Sequence, residues 1–384
     1  MSDAAPGPLM LFDTARREVV PFEPGPVVTM YTCGITPYDA THLGHAAVYM
    51  GYDVLQRRLR DRGHETRCVR NVTDVDDDLL RKAREVGMHY LDLAAAETAR
   101  FDDDMIALEM LPSWSEPRAT SAMPEIRSLV SALLEGGNAY VVDGWVYFEV
   151  TTSEGFGKLS HYDEATMLDY AAERGGNITD ERKRNPLDFV LWQPSAPGEP
   201  SWEAPWGDGR PGWHIECSAL ALRELETETI DLHGGGGDLI FPHHECEIAQ
   251  VEAVTGKPYV RHWMHQAMVR MDGEKMSKSL GNLVFVSDLR KVYDTRAIRL
   301  GIIANHYRTE WEWDDDLMPT AAARLDAWLA APNGQGDDGA LADVRAALDD
   351  DVDTPTAVAA IDAAVAAGQG VATAAALLGV DLLR

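Results

Sequence analysis

The sequence predicts an α/β fold in which a Rossmann-like domain with a parallel sheet is divided by an insertion and followed by a C-terminal α-helical domain. Strand-like and helix-like runs alternate over residues 27–110 and return after residue 200, an order that is typical of parallel β-α-β units. Between these regions prolines and glycines become frequent, which indicates inserted structure. After residue 285 the spacing of apolar residues indicates helices.

The first half of the sheet domain is expected at residues 1–111. VVTMYT is rich in β-forming residues, HAAVYMGYDVLQRRLRDRG has helical spacing and stops at Gly63, and ETRCVRNV follows as a second strand. DVDDDLLRKAREVG and YLDLAAAETARFDDDM then predict two helices. This order predicts Cys33 at the carboxyl end of a strand, and His42 and His45 at the start of a helix, where open α/β sheets bind ligands.

The remaining segments are expected at 112–200, 201–285 and 286–384. The insertion, 112–200, should contain a helix near 123–135, a hairpin in AYVVDGWVYFEV and the loop AAERGGNITDERKRNP. The second half of the sheet domain should contain a helix in HIECSALALREL, a strand in ETIDLHGGGG, a helix through HHECEIAQVEAVTG and a strand near WMHQAMVRM. Residues 286–384 should be entirely helical, with a linker at 331–339.

Composition excludes several classes of protein. The net charge of −29 over 384 residues argues against broad nonspecific binding of nucleic acid. Four cysteines are too few for a disulfide scaffold in a chain of this length and favour a reducing, cytoplasmic location. No stretch has the length and apolar character expected of a membrane span.

Two short motifs carry the chemistry of phosphate binding. In THLGH, 41–45, Thr41 is expected to cap a helix, and His42 and His45 can donate hydrogen bonds to phosphate oxygens from one helix face. In KMSKSLGN, 275–282, Lys275 and Lys278 lie in a loop that can close over a triphosphate and neutralise the leaving pyrophosphate. Solvated surface histidines and a basic surface turn would explain either motif alone, but the two together favour nucleotide chemistry.

These motifs resemble the HIGH and KMSKS motifs of class I aminoacyl-tRNA synthetases. The stretches CGITPYD, VRNVTDVDD, PGWHIECSA, DLHGGGGDLIFPHHE and GEKMSKSLGN are similar to the cysteinyl branch of that family and extend the resemblance over residues 27–310. The resemblance implies a catalytic domain of the class I synthetase type. It also implies activation of L-cysteine by ATP, with Mg²⁺, as cysteinyl-adenylate, with His42, His45, Lys275 and Lys278 as the catalytic residues.

The resemblance further implies a Zn²⁺ site. In the cysteinyl branch zinc is held by residues that match Cys33, Cys217 and His243, and in the synthetases also by one that matches Glu247. The i, i+4 spacing of His243 and Glu247 suits a shared metal. Each cysteine alone is better explained as a small buried side chain, and it is the resemblance that favours the metal. Zinc at this strand end can take a substrate thiolate as a further ligand and so select cysteine over serine.

The adenylate-binding residues are partly indicated by the sequence itself. In HGGGGD, 233–238, glycines allow close approach of a ligand, and Asp238 is suited to a ribose hydroxyl. Trp213 can fold over the amino acid, although an ordinary core tryptophan is the alternative. The full set that the resemblance implies around a cysteinyl-adenylate is Cys33, Gly34, Ile35, Thr36, Val48, Asn71, Val72, Thr73, Trp213, Gly236, Gly237, Asp238 and Val269.

The acceptor of the cysteinyl group is indicated by the part of the chain after the KMSKS motif. Residues 314–384 contain only three basic residues, so a surface that tracks RNA phosphates is not expected there. The shortened form resembles the mycothiol-pathway ligases, which join L-cysteine to the amine of glucosaminyl-inositol. That resemblance implies a monomer that acts on small molecules without nucleic-acid or membrane partners.

Two alternatives remain open, namely a truncated cysteinyl-tRNA synthetase and an inactive paralogue that binds adenylate or zinc. Two positions also depart from the ligase pattern: ERGGNI, 173–178, replaces ERGGDP, and Val48 replaces a threonine.

Overall fold

The computed structural model describes residues 7–38, 42–276, 281–332 and 339–384. The chain begins with an antiparallel pair, β1 (Leu9–Asp13) and β2 (Glu18–Phe22). A β-α-β unit and two further helices complete the first half: β3 (Val27–Ile35), α1 (Leu43–Asp61), β4 (Glu65–Val72), α2 (Asp77–Val86) and α3 (Tyr90–Ala107). The Asp76 side chain caps the start of α2, and Gly87 ends this helix in the left-handed conformation that glycine adopts without strain.

The insertion contains its own antiparallel sheet. Its elements are α4 (Met123–Glu135), β5 (Ala139–Val142), β6 (Trp145–Phe148), α5 (Glu164–Glu173), β7 (Phe189–Gln193) and β8 (Arg210–Pro211). The predicted hairpin is β5–β6, which turns at Asp143 and Gly144 with positive φ at both, as a tight hairpin requires. Since β8 pairs with β7, this sheet extends past residue 200, where the sequence had suggested the end of the insertion.

The second half of the sheet domain supplies α6 (Trp213–Leu225), β9 (Leu232–Gly236), α7 (Glu245–Thr255) and β10 (Trp263–Gln266). The resulting four-stranded sheet is parallel and has the order β10-β9-β3-β4, which confirms the predicted fold class. Neighbouring residues of β3 point to opposite faces, so Met30 packs in one hydrophobic core and Tyr31 in the other. Both faces of the sheet are therefore covered.

The C-terminal part is mainly helical. Its elements are β11 (Val269–Met271), β12 (Glu274–Lys275), α8 (Val286–Leu289), α9 (Thr295–Ile303), β13 (Trp311–Glu312), α10 (Leu317–Leu329), α11 (Leu341–Asp349), α12 (Thr354–Ala366) and α13 (Ala372–Leu377). Among the described residues, no helix combines the length and apolar character needed to cross a membrane.

The strand expected near WMHQAMVRM is present as β10 in the parallel sheet, and the end of the same stretch forms β11 of a separate three-stranded sheet. One sequence expectation about this part was wrong. Residues after 285 are not all helical, because β13 pairs with β11. A two-residue strand carries no periodic signal, so its conformation is set by its pairing partner rather than by local sequence. Most of the predicted linker, residues 333–338, lies outside the described residues.

The C-terminal helices are anchored on α1 by ion pairs. Arg58 forms two hydrogen bonds to Asp349, with lengths of 2.9 and 2.7 Å. Arg299, on α9, is completely buried and pairs with Asp53 of α1. The Arg299 guanidinium also donates to the carbonyl oxygen of Leu378 at 2.6 Å. Because a buried charge needs partners of this kind, this cluster ties the last helix to the helix that follows the HLGH motif.

We expect Asp53→Asn to lower the free energy of unfolding by about 3–5 kcal/mol, because it leaves the buried Arg299 charge uncompensated. Urea denaturation followed by circular dichroism measures this change. The matched control is Asp78→Asn on α2, whose ion pair with Arg81 is about half exposed on both sides. The control should change stability by less than about 1 kcal/mol. Equal effects of the two substitutions would contradict the assigned role of the Asp53–Arg299 pair.

Candidate active site

Four buried side chains from different parts of the chain meet at the carboxyl end of the parallel sheet. Cys33 lies near the end of β3, Cys217 is in α6, His243 lies just before α7, and Glu247 is in the first turn of α7. One ligand atom from each lies within 4.8 Å of the others. His243 Nε2 and Glu247 Oε1 are 3.0 Å apart. Two sulfurs, one nitrogen and one oxygen in a buried cluster form a donor set that can hold a metal ion.

The electrostatics of this cluster favour a cation. Burial alone would raise the pKa of Glu247, but the charges of His233 and His243 outweigh it and lower the pKa to about 2. A hydrogen bond from Cys33 lowers the pKa of Cys217 to about 6, whereas burial raises the pKa of Cys33 well above its usual range. Deprotonation of Glu247 and Cys217 is therefore favoured. Burial alone would lower the pKa of His243, but the charges of Glu247 and Cys217 outweigh it and raise the pKa to about 10. Metal binding would displace the proton of the Cys33 thiol and also that of His243.

Additional histidines that the sequence motifs did not identify surround the four ligands. His233 Nε2 lies 2.6 Å from Glu247 Oε2, and His244 Nε2 lies 3.2 Å from Cys33 Sγ. With Cys33 and Glu247 these histidines form a second, overlapping set of candidate ligands. His265 Nε2 is 2.8 Å from His244 Nδ1. The sequence offered only weak indications of these two residues, because His233 merely precedes a glycine run and His244 merely follows a predicted ligand.

The backbone around Cys33 is held by residues that the resemblance assigned to adenylate binding. The Gly34 amide donates to the Asn71 side-chain oxygen at 2.9 Å, and the Asn71 amide group donates to Thr73 at 3.1 Å. A Cβ atom on Gly34 would lie 1.6 Å from the carbonyl oxygen of Asn71. Only glycine therefore allows β3 and β4 to approach this closely, and Asn71 fixes the strand end that carries Cys33.

The HLGH motif lies at the start of α1, as predicted. His42 is the N-cap residue without a side-chain capping bond, and its ring stacks on that of His45 with centroids 3.8 Å apart. His42 also forms a β-bridge with Phe285, which brings the segment after the KMSKS motif beside the histidines. The proposed cap Thr41 and the predicted catalytic Lys278 lie outside the described residues. The backbone of Lys275 pairs with Arg270 in the β11–β12 hairpin.

One cavity of about 1,210 Å³ connects these features. At one end the ring of Trp213 stacks on His243 with centroids 4.1 Å apart. The predicted site residues that line the cavity are Cys33, Gly34, Ile35, Thr36, His42, His45, Val48, Trp213, Gly236, Asp238 and His243. Among the predicted residues whose side chains are described, those that do not line it are Asn71, Val72, Thr73, Cys217, Gly237 and Val269.

The insertion contacts the predicted ribose-binding loop, and no pattern in the sequence predicted this contact. Arg174, in ERGGNI, donates to the carbonyl oxygen of Asp238 at 2.6 Å and to that of Phe241. Its guanidinium lies over the ring of Tyr170, 4.3 Å from the centroid. Arg174 therefore joins one wall of the cavity, formed by the insertion, to the loop that carries Asp238.

The sequence matches a family model described as the class I (C) tRNA synthetase catalytic domain over residues 19–323. Two similar curated proteins carry the name L-cysteine:1D-myo-inositol 2-amino-2-deoxy-α-D-glucopyranoside ligase. The Gordonia bronchialis protein is 51% identical over 90% of this chain and 86% of its own length. The Nakamurella multipartita protein is 49% identical over 98% of this chain and 96% of its own length.

Solved structures of class I synthetases share the fold. Methionyl-tRNA synthetase from Mycobacterium tuberculosis, in complex with methionyl-adenylate, aligns with a TM-score of 0.64 and 17% identity, covering 93% of this chain and 88% of that one. A structure described as a putative arginyl-tRNA synthetase from Campylobacter jejuni aligns with a TM-score of 0.59 and 13% identity. The alignment covers 92% of this chain and 93% of that one. At these identities the likeness supports the fold alone.

We expect the protein purified without added metal or chelator to carry about one divalent metal ion per chain. Cys217→Ser should lose most of this metal, because it removes one sulfur ligand from the cluster. The matched control is Cys246→Ser, which changes a second buried cysteine that belongs to neither candidate ligand set. Inductively coupled plasma mass spectrometry measures the content. Full metal content in Cys217→Ser would contradict the assignment.

Proposed function

The chain belongs to the family of class I (C) tRNA synthetase catalytic domains, and we propose that it is a ligase that uses ATP to join L-cysteine to the amine of glucosaminyl-inositol, as in mycothiol biosynthesis. The names of the similar curated proteins support this choice of substrates. AMP and pyrophosphate are the other products. The observation that carries the proposal is that one cavity is lined both by Cys33 and His243 of the candidate metal cluster and by the HLGH histidines.

Zinc is the metal that best suits the donor set of Cys33, Cys217, His243 and Glu247, because it prefers sulfur and nitrogen ligands in a tetrahedral arrangement. When bound there, zinc supplies a soft acceptor for the thiolate of the substrate cysteine. A serine hydroxyl is a much poorer ligand, so this donor set would select cysteine directly. Trp213, which stacks on His243, is proposed to cover the bound amino acid.

Activation of cysteine requires positioning and charge stabilisation rather than a general base. The substrate carboxylate, which is already ionised near neutral pH, attacks the α-phosphorus of ATP. A bond forms between a carboxylate oxygen and the α-phosphorus. The bond between the α-phosphorus and the oxygen that bridges to the β-phosphate breaks. Charge passes to pyrophosphate, where His42, His45, Lys275 and Lys278 are proposed to stabilise it together with the Mg²⁺ that accompanies ATP. Asp238 is proposed to hold the ribose.

Transfer then forms the amide. The unprotonated amine of the amino sugar attacks the acyl carbon of cysteinyl-adenylate, AMP leaves with the electrons of the carbon–oxygen bond, and the amine proton passes to solvent or to a base. Because AMP is a good leaving group, this step requires chiefly an acceptor site beside the adenylate.

We expect the protein to form a cysteinyl amide from ATP, L-cysteine and glucosaminyl-inositol, with one AMP released per amide. Mass spectrometry of the product and measurement of AMP test this outcome. The same mixture with tRNA in place of the sugar should yield no cysteinyl-tRNA. Charging of tRNA without amide formation would favour the truncated synthetase. Absence of cysteine-dependent exchange between ATP and pyrophosphate would favour the inactive paralogue.

We expect Lys275→Ala and Lys278→Ala each to slow cysteine-dependent ATP–pyrophosphate exchange by about a hundredfold in kcat, with little change in KM for cysteine. Charge at these positions is required mainly as pyrophosphate leaves, so it affects the transition state more than the bound substrate. Lys291→Ala is the matched control, since Lys291 is exposed and pairs with Asp288 at 2.7 Å. A change in KM alone would contradict the proposed role of the loop.

A further inference from the structure

The cavity is larger than the nucleotide and the amino acid require. Pockets for single drug-sized ligands commonly occupy about 300–1,000 Å³, whereas this one has about 1,210 Å³. Beyond the adenylate region the cavity is lined by residues of the insertion and of α2. The described residues of this outer region are mostly polar or charged, in contrast to a pocket for an apolar ligand. A second, hydrophilic substrate therefore fits here.

A preorganised group of side chains forms part of the insertion wall. Trp145 is partly exposed, and the guanidinium of Arg182 lies over its ring, 3.9 Å from the centroid. Asp180 accepts two hydrogen bonds of 2.8 Å from Nε and Nη2 of Arg182. Asp180 also accepts one of 2.7 Å from the hydroxyl of Tyr147. We call Trp145, Asp180 and Arg182 the insertion platform.

The insertion platform has the chemistry of a site for a polyhydroxylated ring. The partly exposed indole of Trp145 offers apolar surface to the C–H groups of a sugar or cyclitol, and the guanidinium of Arg182 can donate hydrogen bonds to its hydroxyls. Asp180 already accepts two hydrogen bonds at each oxygen and therefore serves to hold this guanidinium in place. Among the described residues, no hydrogen bond engages Nη1 of Arg182, which leaves that amino group for a ligand. Because the side chains are already held by one another, little conformational entropy is lost on binding.

The insertion platform is connected by a short stretch of chain to the adenylate region. Arg174 is bonded to the backbone of Asp238, and eight residues later Arg182 lies over Trp145. The turn between them is tight, since the Asp180 amide bonds to the carbonyl oxygen of Asn177 at 3.4 Å. A ligand on the insertion platform would thus be held by the same loop that is fixed to the predicted ribose-binding loop.

We propose that the insertion platform is the acceptor subsite, which binds the hydroxylated rings of glucosaminyl-inositol so that its amine is directed toward the acyl carbon. This inference rests on the proposed function. It assigns Trp145 and Arg182 to acceptor recognition, with Asp180 holding Arg182 in place, and leaves cysteine activation to the other end of the cavity. Arg174 is a positioning residue that fixes the distance between the two regions.

The test separates the acceptor step from cysteine activation. In Trp145→Ala and Arg182→Met, KM for glucosaminyl-inositol should rise about tenfold or more in the amide-forming assay. Cysteine-dependent ATP–pyrophosphate exchange, which needs no acceptor, should stay within about twofold of the wild-type rate, and its retention also shows that the variants are folded. Trp145→Phe keeps an aromatic ring and should have a smaller effect than Trp145→Ala.

The matched control is Arg184→Met. Arg184 makes the same kind of contact on the same sheet, 4.1 Å from the ring centroid of Tyr140, but it does not line the cavity. Its KM for the acceptor should be unchanged. An unchanged KM for glucosaminyl-inositol in both Trp145→Ala and Arg182→Met would overturn the subsite. The subsite would also be overturned if Trp145→Phe and Arg182→Met lost ATP–pyrophosphate exchange to the same extent as amide formation. If the wild-type protein makes no amide from glucosaminyl-inositol, the proposed function itself fails, which is a different result.

Discussion

The pairing between β3 and β9 is the constraint on which the site depends. The Thr29 amide and hydroxyl donate to Asp231 at 2.9 and 2.8 Å, and the Asp231 amide donates back to the Thr29 hydroxyl at 3.0 Å. This clamp joins residues that are 202 positions apart in sequence. A slip of one residue would turn every side chain of β3 to the other face of the sheet, and Cys33 would then point away from Glu247.

Within the site, each buried charge is tolerated only because of its neighbours. Glu247 is bonded to His233 through one oxygen and lies near His243 through the other, so neither oxygen lacks a partner. The same contacts orient Glu247 toward Cys33 and limit its movement. Because of this mutual dependence, changes to the outer histidines should affect the geometry of the four candidate ligands.

Local sequence was enough to predict the features that depend on local structure. Alternating periodicity predicted the parallel sheet, the HLGH motif predicted histidines at the start of α1, and the i, i+4 spacing predicted the contact of His243 with Glu247. The roles of His244 and Arg174 could not be predicted in this way. They depend on which strand lies beside which, and on how the insertion folds back onto the sheet, and neither is encoded in the spacing of residues along one segment.

The two ends of α1 lie at different parts of the molecule, because one end reaches the cavity and the other is ion-paired to the C-terminal helices. His45, in the first turn of α1, lines the cavity, whereas Asp61, at the other end, bonds to Arg345. The stretch of α1 between them spans about 24 Å at the usual helical rise. Attachment of the protein to a solid support through the surface of α11 would therefore keep the cavity residue His45 at the far end of α1 from the support. The same geometry would suit a sensor in which a surface-bound layer of this protein reports on small molecules that flow past it.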